Sequence, residues 1–438
     1  MEKSGTVSEH QGLTEQEETF PGLKDGKTEN EGEADEVDKN IEENAKENET
    51  EDNAEKMSKI EQLLDSMTLE EKVGQVFLVA FRTDLNGNPL LSLDEDTREQ
   101  IQKYHLGGVI LFSENIDTIQ QTRKLIEDMQ AASKIPMFIA IDEEGGKVSR
   151  LNASGKLHST RLPGNLILGE TGDPELAYKV GVLLAEELSS LGFNMNFAPV
   201  ADVNTNPDNP VIGSRSFGSD PEMVGNMVAK MVEGLQSRNV CSVLKHFPGH
   251  GDTSDDTHTG AVIVNHDRKR LESVEFVPFK KGIQSGADGV MTAHIQMPEV
   301  TGNSMPATLS YDVLTGILRN DMNFNKLIIT DALEMGAISK YWLPGEAAVN
   351  AFKAGADILL MPETLDEAYT GLLEAVKEGI ISQERLDQSV RRILMVKEER
   401  NILEPKESGS DPEKVLGCEE HLDIVREIEG NANLEYRK

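Results

Sequence analysis

Short runs of apolar and β-branched residues recur along the chain from about residue 76, with stretches of helical periodicity between most of them. The runs are Val76–Phe81, Gly107–Phe112, Met137–Asp142, Asn194–Val200, Ser242–Phe247, Gly289–Ile295, Leu327–Asp331 and Asp357–Met361. Apolar positions are nearly continuous within them, the pattern of strands buried on both faces. Helix starts are marked by their own chemistry. Thr68-Leu69-Glu70-Glu71 has the form of a capping box. Asp173-Pro174 and Asp220-Pro221 each place an N-cap acid before a proline at the first helical position, and Ser382 precedes a helical stretch over 383–403. Eight strands alternating with helices over roughly 320 residues predict a (β/α)8 barrel with long loops. A doubly wound open sheet is the alternative, but no glycine-rich fingerprint follows the first strand.

A barrel of this kind carries its chemistry just beyond the C-terminal ends of its strands. The polar residues fall there. The second run leads into Ser113-Glu114-Asn115, and the third ends in Asp142-Glu143-Glu144-Gly145-Gly146. The fourth feeds Ala201-Asp202-Val203-Asn204, with Arg215 farther along its loop. The sixth ends in Thr292-Ala293-His294 and the seventh in Thr330-Asp331. The fifth opens the densest stretch of all, Lys245 to His258, reading K-H-F-P-G-H-G-D-T-S-D-D-T-H. So many titratable groups beside a strand end cost desolvation unless they are paired, and they mark a catalytic loop.

Composition divides the chain. Residues 1–56 hold 19 Asp and Glu against 6 Lys and Arg, with Phe20 their only aromatic residue. Such a segment is expected to be disordered, as a tail or linker. The domain expected to follow covers 57–403, and 404–438 form an extension with one short amphipathic helix over 419–429. A net charge of −35 argues against a nucleic-acid partner. Two cysteines, Cys241 and Cys418, are too few for a disulfide framework, and Cys241 reads as a small core residue. No run is long enough to span a membrane and no signal peptide opens the chain, so no stable membrane insertion is expected. The acidic tail nonetheless leans the expected location toward the outside of the cytoplasm, as the spacer of a lost anchor or signal.

Individually, several of these residues have plain structural readings. Asp331 at a strand–helix junction reads as an N-cap for 332–338, or, with cations to keep it ionised, as a nucleophile. Asp256 and His258 are close enough for a carboxylate to orient an imidazole for acid/base work, though an isolated D-x-H is usually a loop feature. His246, His250, Asp252, Asp256 and His258 are also conceivable zinc ligands. Their spacing fits no H-E-x-x-H pattern, and Lys245 places a repelling charge among them.

Taken together the residues resemble a known family. The loop K-H-F-P-G-H-G-D-T-x-x-D-T-H resembles the signature of family 3 glycoside hydrolases of the β-N-acetylglucosaminidase type. The resemblance extends in order through 67–75, 107–112, 141–150, 198–202, 212–217, 306–310 and 329–331. It implies a single catalytic domain that hydrolyses terminal β-linked N-acetylglucosamine from peptidoglycan-derived or related oligosaccharides, retaining configuration through a glycosyl-enzyme. By the family pattern Asp331 is the nucleophile, and His258 the acid/base with Asp256 as its partner. Asp142, Arg150, Arg215, Lys245 and His246 match the sugar binders. The resemblance implies no cofactor and no metal, and a monomer acting on a small carbohydrate is expected. Retaining glycosidases usually pair two carboxylates about 5–5.5 Å apart, so a histidine acid departs from the common rule. A phosphorylase acting at the same site, and a metal-dependent hydrolase built on the loop histidines, are the alternatives.

Overall fold

The computed structural model describes residues 55–254, 260, 262–404 and 410–432. The acidic segment 1–54 and the predicted pair Asp256 and His258 lie outside the described residues. The unit that carries the fold runs from Lys56 to Lys438.

Eight parallel strands form the predicted barrel: β1 Phe77–Ala80, β2 Gly108–Ile110, β3 Phe138–Ile141, β4 Met195–Asn196, β5 Cys241–Phe247, β6 Gly289–Thr292, β7 Leu327–Ile329 and β8 Leu359–Leu360. Neighbours in sequence are neighbours in space, with Leu78 opposite Gly108, Ala140 opposite Met195 and Val290 opposite Ile328. β8 returns to β1 through Phe77–Leu359, and a parallel bridge between Ile329 and Ile358 closes the ring. Closure excludes the open doubly wound sheet. The continuous apolar runs are explained by it, since each strand is covered by helices outside and by side chains within.

Several strands are shorter than their apolar runs. The run over 194–200 keeps continuous ladder geometry only at β4, breaks at Pro199, which has no amide hydrogen to donate, and rejoins the sheet at Val200 through a bridge to Lys245. The run over 289–295 divides. Gly289–Thr292 stays in the barrel, while Ile295–Gln296 pairs with Val262–Ile263 in a separate two-stranded sheet. The helix starts fall where their caps place them. Thr68 Oγ1 accepts from the Glu71 amide and Glu71 returns the bond, while Asp173, Asp220 and Ser382 each cap the helix that follows. Past 404, Pro412–Val415 and Glu419–Asn431 are helical and pack on the helix Pro174–Leu191. No helix among the described residues is long and apolar enough to cross a membrane.

The two ends of the barrel do different work. At the N-terminal end the buried charges tie helices to strands. Asp357 is held by Arg319, Arg385 and Arg392, and Asp288 by Lys326 and Arg400. Lys397, on the last barrel helix, Gln383–Glu399, is fully buried over the Phe138 ring and donates to Gln75 Oε1 at 2.8 Å. Burial pushes its ammonium down to about 7. The unfolded chain therefore binds this proton more tightly between that value and the ordinary lysine range, and stability rises with pH across the window. Lys397→Met fills a similar volume and removes the proton. Urea midpoints at pH 6.5 and 9 are expected to rise for the wild type relative to this variant; parallel behaviour would refute the assignment.

Candidate active site

At the C-terminal end, residues from all eight strands or the loops that follow them enclose a cavity of about 600 Å3. Its floor is an ion-pair lattice. Lys245, in β5 and 2% exposed, places Nζ 2.6 Å from Asp142 Oδ1 and 2.6 Å from Glu144 Oε1. Arg215 grips the same Glu144 through two bonds, Nε to Oε2 at 2.9 Å and Nη2 to Oε1 at 2.7 Å. Burial pushes the Glu144 carboxyl up, but Lys245 and Arg215 outweigh it and hold the group well below the usual carboxylate range. Charges this deep are tolerable only because each is matched.

Asp142 also lies 3.5 Å from Arg150 Nη2. The Arg150 Nε is buried and has no hydrogen-bond partner among the described residues, which leaves donor capacity at the cavity edge. Beneath it Glu143 turns away from the cavity, and its Oε2 accepts from the backbone amides of Arg150 at 2.7 Å and Leu151 at 3.0 Å. Burial pushes that carboxyl up to about 7.

His246 follows Lys245 in the same strand. Its Nδ1–H donates to Asp202 Oδ2 at 2.8 Å, and Asp202 further accepts from the His246 and His250 amides. This carboxylate fixes the imidazole's orientation and leaves Nε2 toward Arg215, 3.5 Å away. The described members of the candidate metal set are engaged separately. His250 bonds Thr253, and Asp252 bonds Thr205 and His266. Gly251 is required by space: a Cβ there would come within 1.8 Å of the Val203 carbonyl, so the loop can take this path away from β5 only with glycine at 251.

Asp331 stands two residues beyond Ile329, the last paired residue of β7. Its Oδ1 accepts from the Ala332 amide at 2.8 Å, and its own amide donates to Thr292 Oγ1 at 3.3 Å. The N-cap reading is wrong, because the next helix is Gly336–Ser339 with Met335 at its cap. Burial raises the Asp331 carboxyl; His294, His246, the Ala332 amide and Lys245 outweigh it and keep the group below its ordinary value. Among these supports the two histidines and the Ala332 amide come ahead of Lys245, whose ammonium is shared between Asp142 and Glu144. His294 is itself held between Thr308 Oγ1 at 2.8 Å and the Ala332 carbonyl at 2.9 Å.

The structure thus brings Asp142, Arg150, Arg215, Lys245, His246 and Asp331 to one cavity. It adds Glu144, Asp202 and His294, which the sequence reading placed at strand ends without a role. Strand alternation could have found Glu144, since Asp142 and Glu144 share a face and Glu143 takes the other.

The family model described as glycosyl hydrolase family 3 N terminal domain matches residues 68–396. This chain belongs to glycosyl hydrolase family 3. Within that family it is 36% identical over 368 residues to "Beta-hexosaminidase A" of Pseudoalteromonas piscicida, covering 76% of this chain and 61% of that protein. A "Beta-hexosaminidase" of Nitrosomonas eutropha is 33% identical over 347 residues, 76% of this chain and 97% of its own length. The chain therefore spans about three fifths of the first relative and nearly all of the second. A solved family 3 β-N-acetylglucosaminidase from Paenibacillus sp. FPU-7 superposes with a TM-score of 0.79 at 40% identity, over 84% of this chain and 69% of that one.

Proposed function

We propose that this protein is a retaining exo-β-N-acetylhexosaminidase acting on terminal N-acetylglucosamine of peptidoglycan-derived or related oligosaccharides. The observation that carries the reading is Asp331: a half-buried carboxylate at a strand end, held below its ordinary pKa by neighbouring histidines and Lys245, on a cavity whose other walls present hydrogen-bonding charges. In this reading Asp331 attacks the anomeric carbon and the glycosidic bond breaks. His258, partnered by Asp256, gives its proton to the departing oxygen and later takes one from the water that releases the sugar. Asp142, Arg150, Arg215, Lys245 and His246 bind the sugar hydroxyls, as their directional donors and acceptors suit. Names borne by relatives support the choice of amino sugar.

The test is release of para-nitrophenol from the β-N-acetylglucosaminide and the β-glucoside by purified protein, with and without a chelator and with added phosphate. Selective, chelator-resistant release from the amino sugar, giving free N-acetylglucosamine, is expected. Preference for the glucoside would overturn the substrate assignment, and a sugar 1-phosphate product would make the enzyme a phosphorylase.

A further inference from the structure

The helix Glu419–Asn431 carries a histidine, 4% exposed, between two carboxylates. His421 Nε2 lies 3.1 Å from Glu186 Oε2, and Nδ1 lies 3.1 Å from Glu187 Oε1. Both ring nitrogens can donate at once only as the imidazolium. Burial works against that charge, but Glu187 and Glu186 outweigh it and raise the pKa above the ordinary histidine value.

Glu187 is a hub for more than this helix. The Gly417 amide donates to its Oε1 at 3.0 Å from the C-terminal segment. Thr160 reaches it from the loop that follows Arg150, by its amide at 3.1 Å and by Oγ1 at 2.6 Å. Gly417, at φ +61°, lies so close to this loop that a Cβ would come within 2.3 Å of the His158 carbonyl. From Thr160 the bonds continue inward. Its carbonyl accepts from Asn152 Nδ2 at 3.3 Å, and the same amide reaches Ser149 Oγ at 3.3 Å. Ser149 bonds Glu143, which holds the Arg150 amide at 2.7 Å. Arg150 meets Asp142 at the cavity.

We propose that the C-terminal segment is a clasp on the sugar-binding loop: His421, acting through Glu187, positions residues 149–160 so that Arg150 is in place before substrate arrives. The proposal rests on reading Arg150 as a sugar-hydroxyl binder. His421 touches no substrate and is a positioning residue. The neighbouring charges do not substitute for it. Of the two carboxylates Arg238 bonds Glu186, at 2.9 Å, Lys179 pairs with Glu427 at 2.7 Å, and Glu420 adds a further negative charge on the helix itself. Above its raised pKa His421 loses one donor, and the clasp weakens as pH rises.

The experiment measures kcat and KM for the aryl β-N-acetylglucosaminide from pH 5.5 to 9 in the full chain and in His421→Gln, Gly417→Ala and Arg150→Ala, with amide exchange followed over 150–164. His421→Gln is expected to raise KM about tenfold with kcat held within about twofold, the range by which network mutations shift coupled sites. It is also expected to flatten the alkaline rise in KM and to speed exchange in the loop. Gly417→Ala pushes on the loop without removing a charge and is expected to raise KM likewise. Unchanged KM and unchanged exchange in both variants would overturn the clasp, which would then be a fastening of the helix alone. If Arg150→Ala leaves KM unchanged, the sugar-binding reading fails, and faster exchange in His421→Gln still upholds the mechanical link.

Discussion

Asp331→Asn is expected to abolish turnover of an aryl β-N-acetylglucosaminide while leaving the fold intact. Asparagine keeps an oxygen to accept the Ala332 amide, so the local backbone retains its 2.8 Å bond. It supplies no nucleophile, and it removes the anion that His294, His246 and Lys245 sustain. Loss of a covalent nucleophile lowers kcat by about four orders of magnitude or more. Single-turnover kinetics read the loss, and an unchanged melting temperature separates chemistry from stability. Turnover within about tenfold of the wild type would rule Asp331 out of the nucleophile's role.

Glu144→Ala is expected to cost both stability and activity. It leaves Lys245 buried and Arg215 half-buried without the counter-charge they share, with Asp142 still bonded to Lys245 and only longer-range carboxylates facing Arg215. Breaking a buried pair from one side costs about 3–5 kcal/mol, far more than an exposed pair is worth. Glu144→Gln keeps the shape and isolates the charge. The wild-type carboxyl is depressed in the folded state, so its contribution is full above the ordinary glutamate pKa, shrinks as pH falls below it and is lost only through the much lower folded value. Urea midpoints between pH 3 and 7 should therefore draw closer for wild type and Glu144→Gln toward the acid end without meeting, and reach a constant separation above the ordinary glutamate range. Parallel midpoints would mean the lattice adds no net stability.

Much of this protein is legible in its sequence. The barrel followed from continuous apolar runs at regular spacing, because strands covered on both faces leave no alternation to hide. Helix starts followed from caps, which are local bonds between residues two or three apart. The ring of polar strand ends followed from the barrel itself, which concentrates chemistry at one rim. What remained hidden was everything that depends on which strand end faces which. Glu144 was one polar residue of a strand end without a partner until β3 brought it beside Lys245 of β5 and Arg215 of the loop after β4. Asp202 had no partner until the cavity wall set it under His246.

The sequence by itself determined the fold class, the family resemblance and the place of Asp331 at a strand end, because these rest on short motifs and on periodicity within one segment. Tertiary structure alone decided that Lys245 and Arg215 neutralise Glu144, that His294 and His246 stand near Asp331, and that His421 and Thr160, in the loop after Arg150, share Glu187. Those relations join residues up to 234 positions apart. Only closure of the barrel and packing of the outer helices bring them within the few ångströms at which a hydrogen bond or a buried charge pair acts.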